Sequence, residues 1–172
     1  DRESNTGREY DDLYAGAASL ITNVPVKNIG NKKRIILGSK SAGRNKILKE
    51  MGYEFEVMDP NIDEKSIRHT HPSYLTLALA IAKAEALIPK IYPDEVVLIT
   101  ADQVVVFNDK IREKPTNPKE AEDFLGSYDL DNPAKTVSSI VVTNTRTKEK
   151  ISATDTATIY FLKIQSTDIM KY

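Results

Sequence analysis

The 172-residue chain contains no cysteine, no tryptophan and only two histidines. Without cysteine there is no disulfide framework, no thiolate nucleophile and no thiolate-ligated zinc. Charge of either sign is not in excess: 24 basic and 25 acidic residues leave a net charge of −1. That balance argues against a dedicated nucleic-acid binder, which carries a strong basic surplus. Long apolar runs are missing too, because the most apolar stretch, residues 74–88, is broken by Lys83 and Glu85, and nothing in it reads as membrane-spanning. The first residues have no apolar signal core, and their acidic side chains do not suit an organelle transit peptide. The cytoplasm is the expected location. What is present, 40% hydrophobic and 28% charged residues, is the composition of a folded globular protein. Its length suits one domain with a core of useful size.

Residues 1–33 form an expected N-terminal extension, polar at first and then without clear periodicity, with a short helix expected around 11–21. From Arg34 the pattern sharpens. Residues 34–37 read as a strand, and 42–51 as a helix capped by Ser41, ended by Gly52, with Ile47, Leu48 and Met51 at helical spacing. Residues 53–58 alternate as a strand and 59–64 read as a loop. The strongest helix is 72–88, with Leu75, Ala78, Leu79, Ala82 and Ala86 as its apolar stripe. Residues 95–107 hold five valines and are strongly β-forming. Asn117 and Glu120 make a capping box with Pro118 at the first helical position, and Gly126 is expected to end that helix. Strands over 135–143 and 151–162 flank a turn-rich connection, and 166–172 look like the start of a last helix. Helices and strands alternate early and strands pair locally late, which predicts a mixed α/β sheet.

Asp102 is the most informative residue for chemistry. It lies inside VVLITADQVVVF, residues 96–107, a run apolar enough for a central strand buried on both faces. An unpaired carboxylate there costs several kcal/mol (about 3–5), so it either faces a cation, metal or water, or sits at a strand end beside a lysine. The segment GSKSAGR, residues 38–44, joins a strand to a helix, so that backbone N–H groups with Ser39, Ser41 and Arg44 would form an anion site. Gly38 and Gly43 have P-loop spacing, but the next residues are Arg44 and Asn45, not Lys and Ser or Thr, which argues against a P-loop enzyme. Glu64 follows Asp63 in a loop and is a candidate cation ligand or simply solvated. Lys83, between alanines, either reaches a pocket or snorkels. Lys114, after a strand, reads alone as an exposed turn lysine. His69 and His71 share a polar loop with no third ligand nearby and read as surface. Hydroxyls, cations and carboxylates around a helix start suit a polyphosphate held with a divalent metal. No Ser-His pair or G-x-S-x-G elbow suggests acyl transfer.

The order of these motifs resembles the Maf family of nucleotide pyrophosphatases. Residues 35–48, IILGSKSAGRNKIL, are similar to that family's S-x-S-P-R-R-x-x-L-L opening, and FEVMDPNIDE, ALAIAKAEA, LITADQVVV, REKP and AKTVSSIVVTNTRT follow in order. The likeness runs over residues 34–172, about four-fifths of the chain, and is most marked with eukaryotic Maf-like proteins at ADQVVV and REKP.

The resemblance implies a nucleoside triphosphate pyrophosphatase yielding a nucleoside monophosphate and pyrophosphate, with Mg2+ or Mn2+, in a nucleotide-pool cleansing role. It implies an elongated, two-lobed, mixed-sheet fold shared with inosine triphosphate pyrophosphatases, with the nucleotide in a central cleft. The family's catalytic aspartate falls on Asp102, its phosphate-loop residues on Ser39, Ser41 and Arg44, and further cleft positions on Glu64, Lys83 and Lys114. Asp102 and Glu64 would hold the metal. Substrate preference would involve Gly43, where the family has arginine, and Gln103, which is similar to the branch acting on 7-methyl-GTP, whereas the dTTP/UTP branch has threonine. The family pattern extends beyond the position matching Tyr172, with a K-A-G-x-Y-like segment and a G-L-P motif, so the 34–172 domain is expected to lack its usual C-terminal part. A non-catalytic nucleotide-binding regulator linked to cell division is the alternative. An inosine triphosphate pyrophosphatase proper is disfavoured by the absence of its glycine-rich opening. The nucleotide is the expected partner, nucleic acid and membranes are not, and homodimerisation is left open.

Overall fold

A computed structural model describes residues 33–162. The helices expected around 11–21 and 166–172 lie outside the described residues. In chain order come β1 (Arg34–Gly38), α1 (Ala42–Glu50), β2 (Glu56–Val57), a 3-10 turn (Glu64–Ser66), α2 (Pro72–Ile91), β3 (Val96–Phe107), β4 (Lys110–Arg112), α3 (Pro118–Gly126), β5 (Ala134–Asn144) and β6 (Lys150–Ile159). The sheet order is β2-β1-β3-β5-β6, with β4 also on β3. β1 is parallel to β2 and β3, whereas β3 and β4 are antiparallel. The sheet is mixed, as the pattern of elements implies. The chain divides into two compact units, whose described residues are 33–102 with 139–154 and 103–138 with 155–162.

In the first unit α2 lies against the sheet. Ile36, Ala84, Leu87, Ile91, Val96 and Leu98 form one buried cluster, and Leu77, Ala80 and Val141 another. Each fully buried Leu or Ile contributes about 1.5–3 kcal/mol relative to exposure. The buried stripe of α2 differs from the expected one. Leu75 and Leu79 are buried, but Ala78, Ala82 and Ala86 are only half-buried, while Thr76, Ala80, Lys83, Ala84 and Leu87 face inward. The helix is apolar around most of its circumference, so periodicity alone selects no single face. It also continues three residues beyond Ile88, through Pro89.

The local caps form as expected at the first helix. Ser41 Oγ accepts from Arg44 N at 3.4 Å, and Gly52, at φ +82°, closes the end with its N–H on Lys49 O at 2.9 Å and Tyr53 N on Leu48 O at 3.1 Å, a Schellman arrangement. Its apolar residues nevertheless stay out of the core: Ile47 is 57% and Met51 65% exposed. The strand expected over 53–58 shrinks to Glu56–Val57, and the one expected over 151–162 ends at Ile159.

The second unit contains a hairpin absent from the sequence reading. Asn108 and Asp109 both have positive φ, 48° and 59°, as the two central residues of a type I′ turn require, and they join β3 to β4. Asn117 Oδ1 accepts from Glu120 N at 2.9 Å. The reciprocal bond is displaced by one residue, because Glu120 Oε2 accepts from Thr116 N at 2.6 Å. Arg112 lies over the rings of Phe107, Phe124 and Tyr128, at 4.0, 4.5 and 4.9 Å from their centroids.

Candidate functional site

The strand order places the chemistry. β1 leads through α1 outward to β2, whereas β3 lies on the other side of β1 and is followed in the sheet by β5 and β6. The order therefore reverses beyond the carboxyl end of β1, beside the middle of β3, and such reversals are where open α/β sheets receive ligands. The register pairs Gly38 with Thr100. Ser39 follows the first of these directly, and Asp102 lies two residues past the second.

Alternation along β3 buries Val96, Leu98, Thr100 and Asp102 on one face, and α2 covers it. Thr100 Oγ1 donates to Ala80 O at 2.7 Å, which fixes helix against strand. One turn on, Lys83 sits on the same inward face, and helical side chains lean toward the N-terminus. Its Nζ lies 2.6 Å from Asp102 Oδ1 and 2.9 Å from Glu64 Oε1, with a long 3.5 Å approach to Ala101 O. The Lys83 and Asp102 side chains are 7% and 10% exposed, and that of Glu64 is 55% exposed. Two members are thus buried and the third faces solvent. Glu64 is held by its own turn: Asp63 Oδ1 accepts from Lys65 N at 3.1 Å, and Asp63 O accepts from Ser66 Oγ at 2.7 Å.

The strand reading of Asp102 needs one adjustment. Its strand is central in the sheet, but only one face is fully buried, and the aspartate's partner is the lysine across that face. Burial pushes the Asp102 carboxyl above its ordinary value. The Lys83 hydrogen bond and charge pull it down, Glu64 pushes it up and Arg44 pulls it down, and burial prevails. Lys83 is buried and paired rather than snorkelling.

Beside this cluster, Ser39 is 6% exposed, and its Oγ accepts from Ser41 N and from Arg44 Nη1, each at 3.2 Å. Arg44 is thereby held over the start of α1, whose first-turn N–H groups have no intrahelical acceptor. An open depression of about 500 Å3 adjoins this start, lined by Ser39, Ser41 and Asn45 and by Lys40, Lys46 and Lys49. Sequence reasoning passed over these three lysines. The spacing of 46 and 49 is the signal that puts two of them on one helical face. Lys40 pairs with Asp59 at 2.6 Å.

The structure thus joins Glu64, Lys83 and Asp102 in one cluster and Ser39, Ser41 and Arg44 in another, with Arg44 electrostatically coupled to Asp102. Gly43 is exposed in the first turn of α1. Gln103 and Lys114 belong to the second unit, both exposed. His69 and His71 are exposed, and the His71 ring lies 4.9 Å from that of Tyr74. Among the described residues no group of three or more His, Cys, Asp or Glu side chains is placed to hold a metal, and no helix is long and apolar enough to cross a membrane.

The 7-methyl-GTP pyrophosphatase of Dictyostelium discoideum is 43% identical over 143 residues, covering 80% of this chain and 72% of that protein. The dTTP/UTP pyrophosphatase of Thermoanaerobacter sp. (strain X514) is 31% identical over 140 residues, covering 81% and 71%. Among solved structures, the Ham1 protein of Staphylococcus aureus aligns with a TM-score of 0.47 at 17% identity, covering 73% of this chain and 70% of that one, a likeness too loose to fix topology. The family model described as Maf-like protein matches residues 34–172, and the chain belongs to that family.

Proposed function

We propose that this chain hydrolyses the α–β phosphoanhydride of a nucleoside triphosphate, consuming one water and releasing a nucleoside monophosphate and pyrophosphate. The observation that carries the reading is the buried Lys83–Asp102 pair, opened to solvent through Glu64, at the strand-order reversal beside the Ser39–Arg44 loop. The names of the two relatives, both pyrophosphatases of nucleoside triphosphates, support it. Such a role removes unwanted nucleotides from the pool.

The substrate's phosphates would lie against the N–H groups at the start of α1, with the Ser41 hydroxyl and the Arg44 guanidinium, whose fork matches phosphate oxygens. Asp102 would take the proton of the attacking water. Its raised carboxyl is a stronger base than an exposed one. In-line attack on the α-phosphorus would then expel pyrophosphate. Arg44 and Lys83 would offset charge growing on the bridging and leaving oxygens, which is where most acceleration of such reactions arises. Lys114 is assigned to phosphate, and Gly43 and Gln103 to base preference, on motif position alone.

A divalent cation fits the donor set. Mg2+ commonly takes one or two protein carboxylates and completes its shell with substrate phosphates and water, and Asp102 and Glu64 share one neighbouring point, now held by Lys83 Nζ. Held by these two residues, the ion would polarise the phosphoryl oxygens.

The test is Mg2+-dependent pyrophosphate release from dTTP, UTP, CTP, 7-methyl-GTP and ITP, with Asp102→Asn beside the wild type. Release that vanishes in the variant supports the reading, and the best substrate assigns Gly43 and Gln103 their meaning. Nucleotide binding without any release would replace it with a non-catalytic regulator.

A further inference from the structure

Among the described residues Lys83 is the one buried cation on the two carboxylates, at the point they would offer a metal. Its Nζ is 2.6 Å from Asp102 and 2.9 Å from Glu64, whereas Mg2+ bonds carboxylate oxygens at about 2.1 Å. Ammonium and metal cannot occupy that point together. The lysine stem is buried, 7% exposed, on a helix packed against the sheet, so it cannot simply withdraw into water. To leave the carboxylates it needs another anion within its own short reach.

We infer that Lys83 acts as an interlock, occupying Asp102 and Glu64 in the substrate-free enzyme and yielding them to a divalent metal only when a polyphosphate arrives to accept its ammonium. This rests on the pyrophosphatase reading above and adds an order of events to it. The metal alone meets carboxylates whose charge the ammonium already offsets in part, with that positive charge a few ångströms away, which opposes it. Metal with polyphosphate meets two free carboxylates, while the lysine exchanges one anion for another. Linkage makes the effect reciprocal: each ligand tightens the other by the same factor. The device would keep the buried base paired between turnovers and prevent the site from loading metal without substrate. Lys83 is then more than a phosphate contact, since its position decides when Asp102 becomes free.

The experiment is a titration of the full chain with Mn2+, followed by the electron paramagnetic resonance signal of the free ion, with and without α,β-methylene-dTTP, each corrected by the same titration of the analogue without protein. The same titration is run on Lys83→Met, and circular dichroism verifies its fold. Wild type should bind Mn2+ alone at least about tenfold more weakly than with the analogue, a coupling of about 1.4 kcal/mol. Lys83→Met should bind Mn2+ alone about tenfold more tightly than wild type does, and the analogue should add little. Equal Mn2+ affinity in wild type with and without the analogue overturns the interlock but leaves the site reading standing. No protein-bound Mn2+ in either protein, with or without the analogue, overturns both. Where Lys83→Met does not fold, Lys83→Gln takes its place with the same expected outcomes.

Discussion

Replacing Asp102 by asparagine separates what the carboxylate does for folding from what it does for chemistry. The substitution keeps the shape and leaves an amide oxygen to accept from Lys83, which also retains Glu64 at 2.9 Å. Breaking a buried ion pair by removing one partner ordinarily costs about 3–5 kcal/mol, because a charge is stranded. Here the second acidic partner remains. In addition, the Asp102 carboxyl is raised from its usual 3.8, with burial the largest cause, so its surroundings disfavour the charge despite Lys83. Asp102→Asn should therefore lie within about 1 kcal/mol of wild type at pH 7, a change in Tm of about 2–4 °C or less for a chain of this size. Catalysis should fall by about 100-fold or more, the usual worth of a positioned base. The wild-type acid limb of kcat/KM should lie above the ordinary carboxylate range. Stability has the matching sign: the folded state binds the Asp102 proton more tightly than the unfolded chain. Its contribution is full below pH 3.8 and is lost as pH rises through the raised folded value. Thermal melts by circular dichroism and pyrophosphate release on the same preparations measure both. A variant that melts many degrees lower while keeping more than a tenth of the activity refutes the reasoning on both counts.

Two further outcomes follow from packing. A Cβ at Gly38 would lie 2.6 Å from Leu87 Cδ1 and 2.7 Å from Thr100 Cγ2, both wholly buried, so Gly38→Ala should cost about 1–3 kcal/mol by overpacking, read from urea unfolding; an unchanged midpoint would show that the core gives way there. Arg112 lies over three rings and donates to Ser127 Oγ at 2.7 Å, so Arg112→Lys should still destabilise the protein by about 1 kcal/mol or more, because an ammonium cannot reproduce the planar stack; a lysine variant as stable as wild type would refute that.

Much of the site was legible before any fold was known, since single residues violated their surroundings. Asp102 stood out as a carboxylate in an apolar strand, and Lys83 as a charge among alanines. Both anomalies are answered by the same contact. Glu64 was less visible, because an acid in a polar loop violates nothing, and only the packing of its turn beside α2 brings it 2.9 Å from Lys83. The lysines around the depression at α1 were unremarkable for the same reason.

The mixed character of the sheet and the ends of α1 and α3 were determined by the sequence itself, the ends because caps are interactions within a few residues: Ser41 with Arg44, Gly52 with the last turn of α1, Asn117 with Glu120; the end of α2, beyond Ile88, was not. Tertiary structure alone decided which side of α2 is buried, since a helix apolar on most sides has no preferred face until a sheet is laid against it. It also decided that 53–58 pair over only two residues and that Asn108 and Asp109 turn β3 back into β4. Above all it decided the meeting of residues 64, 83 and 102, an ion cluster assembled from three elements whose separation along the chain no local rule can close.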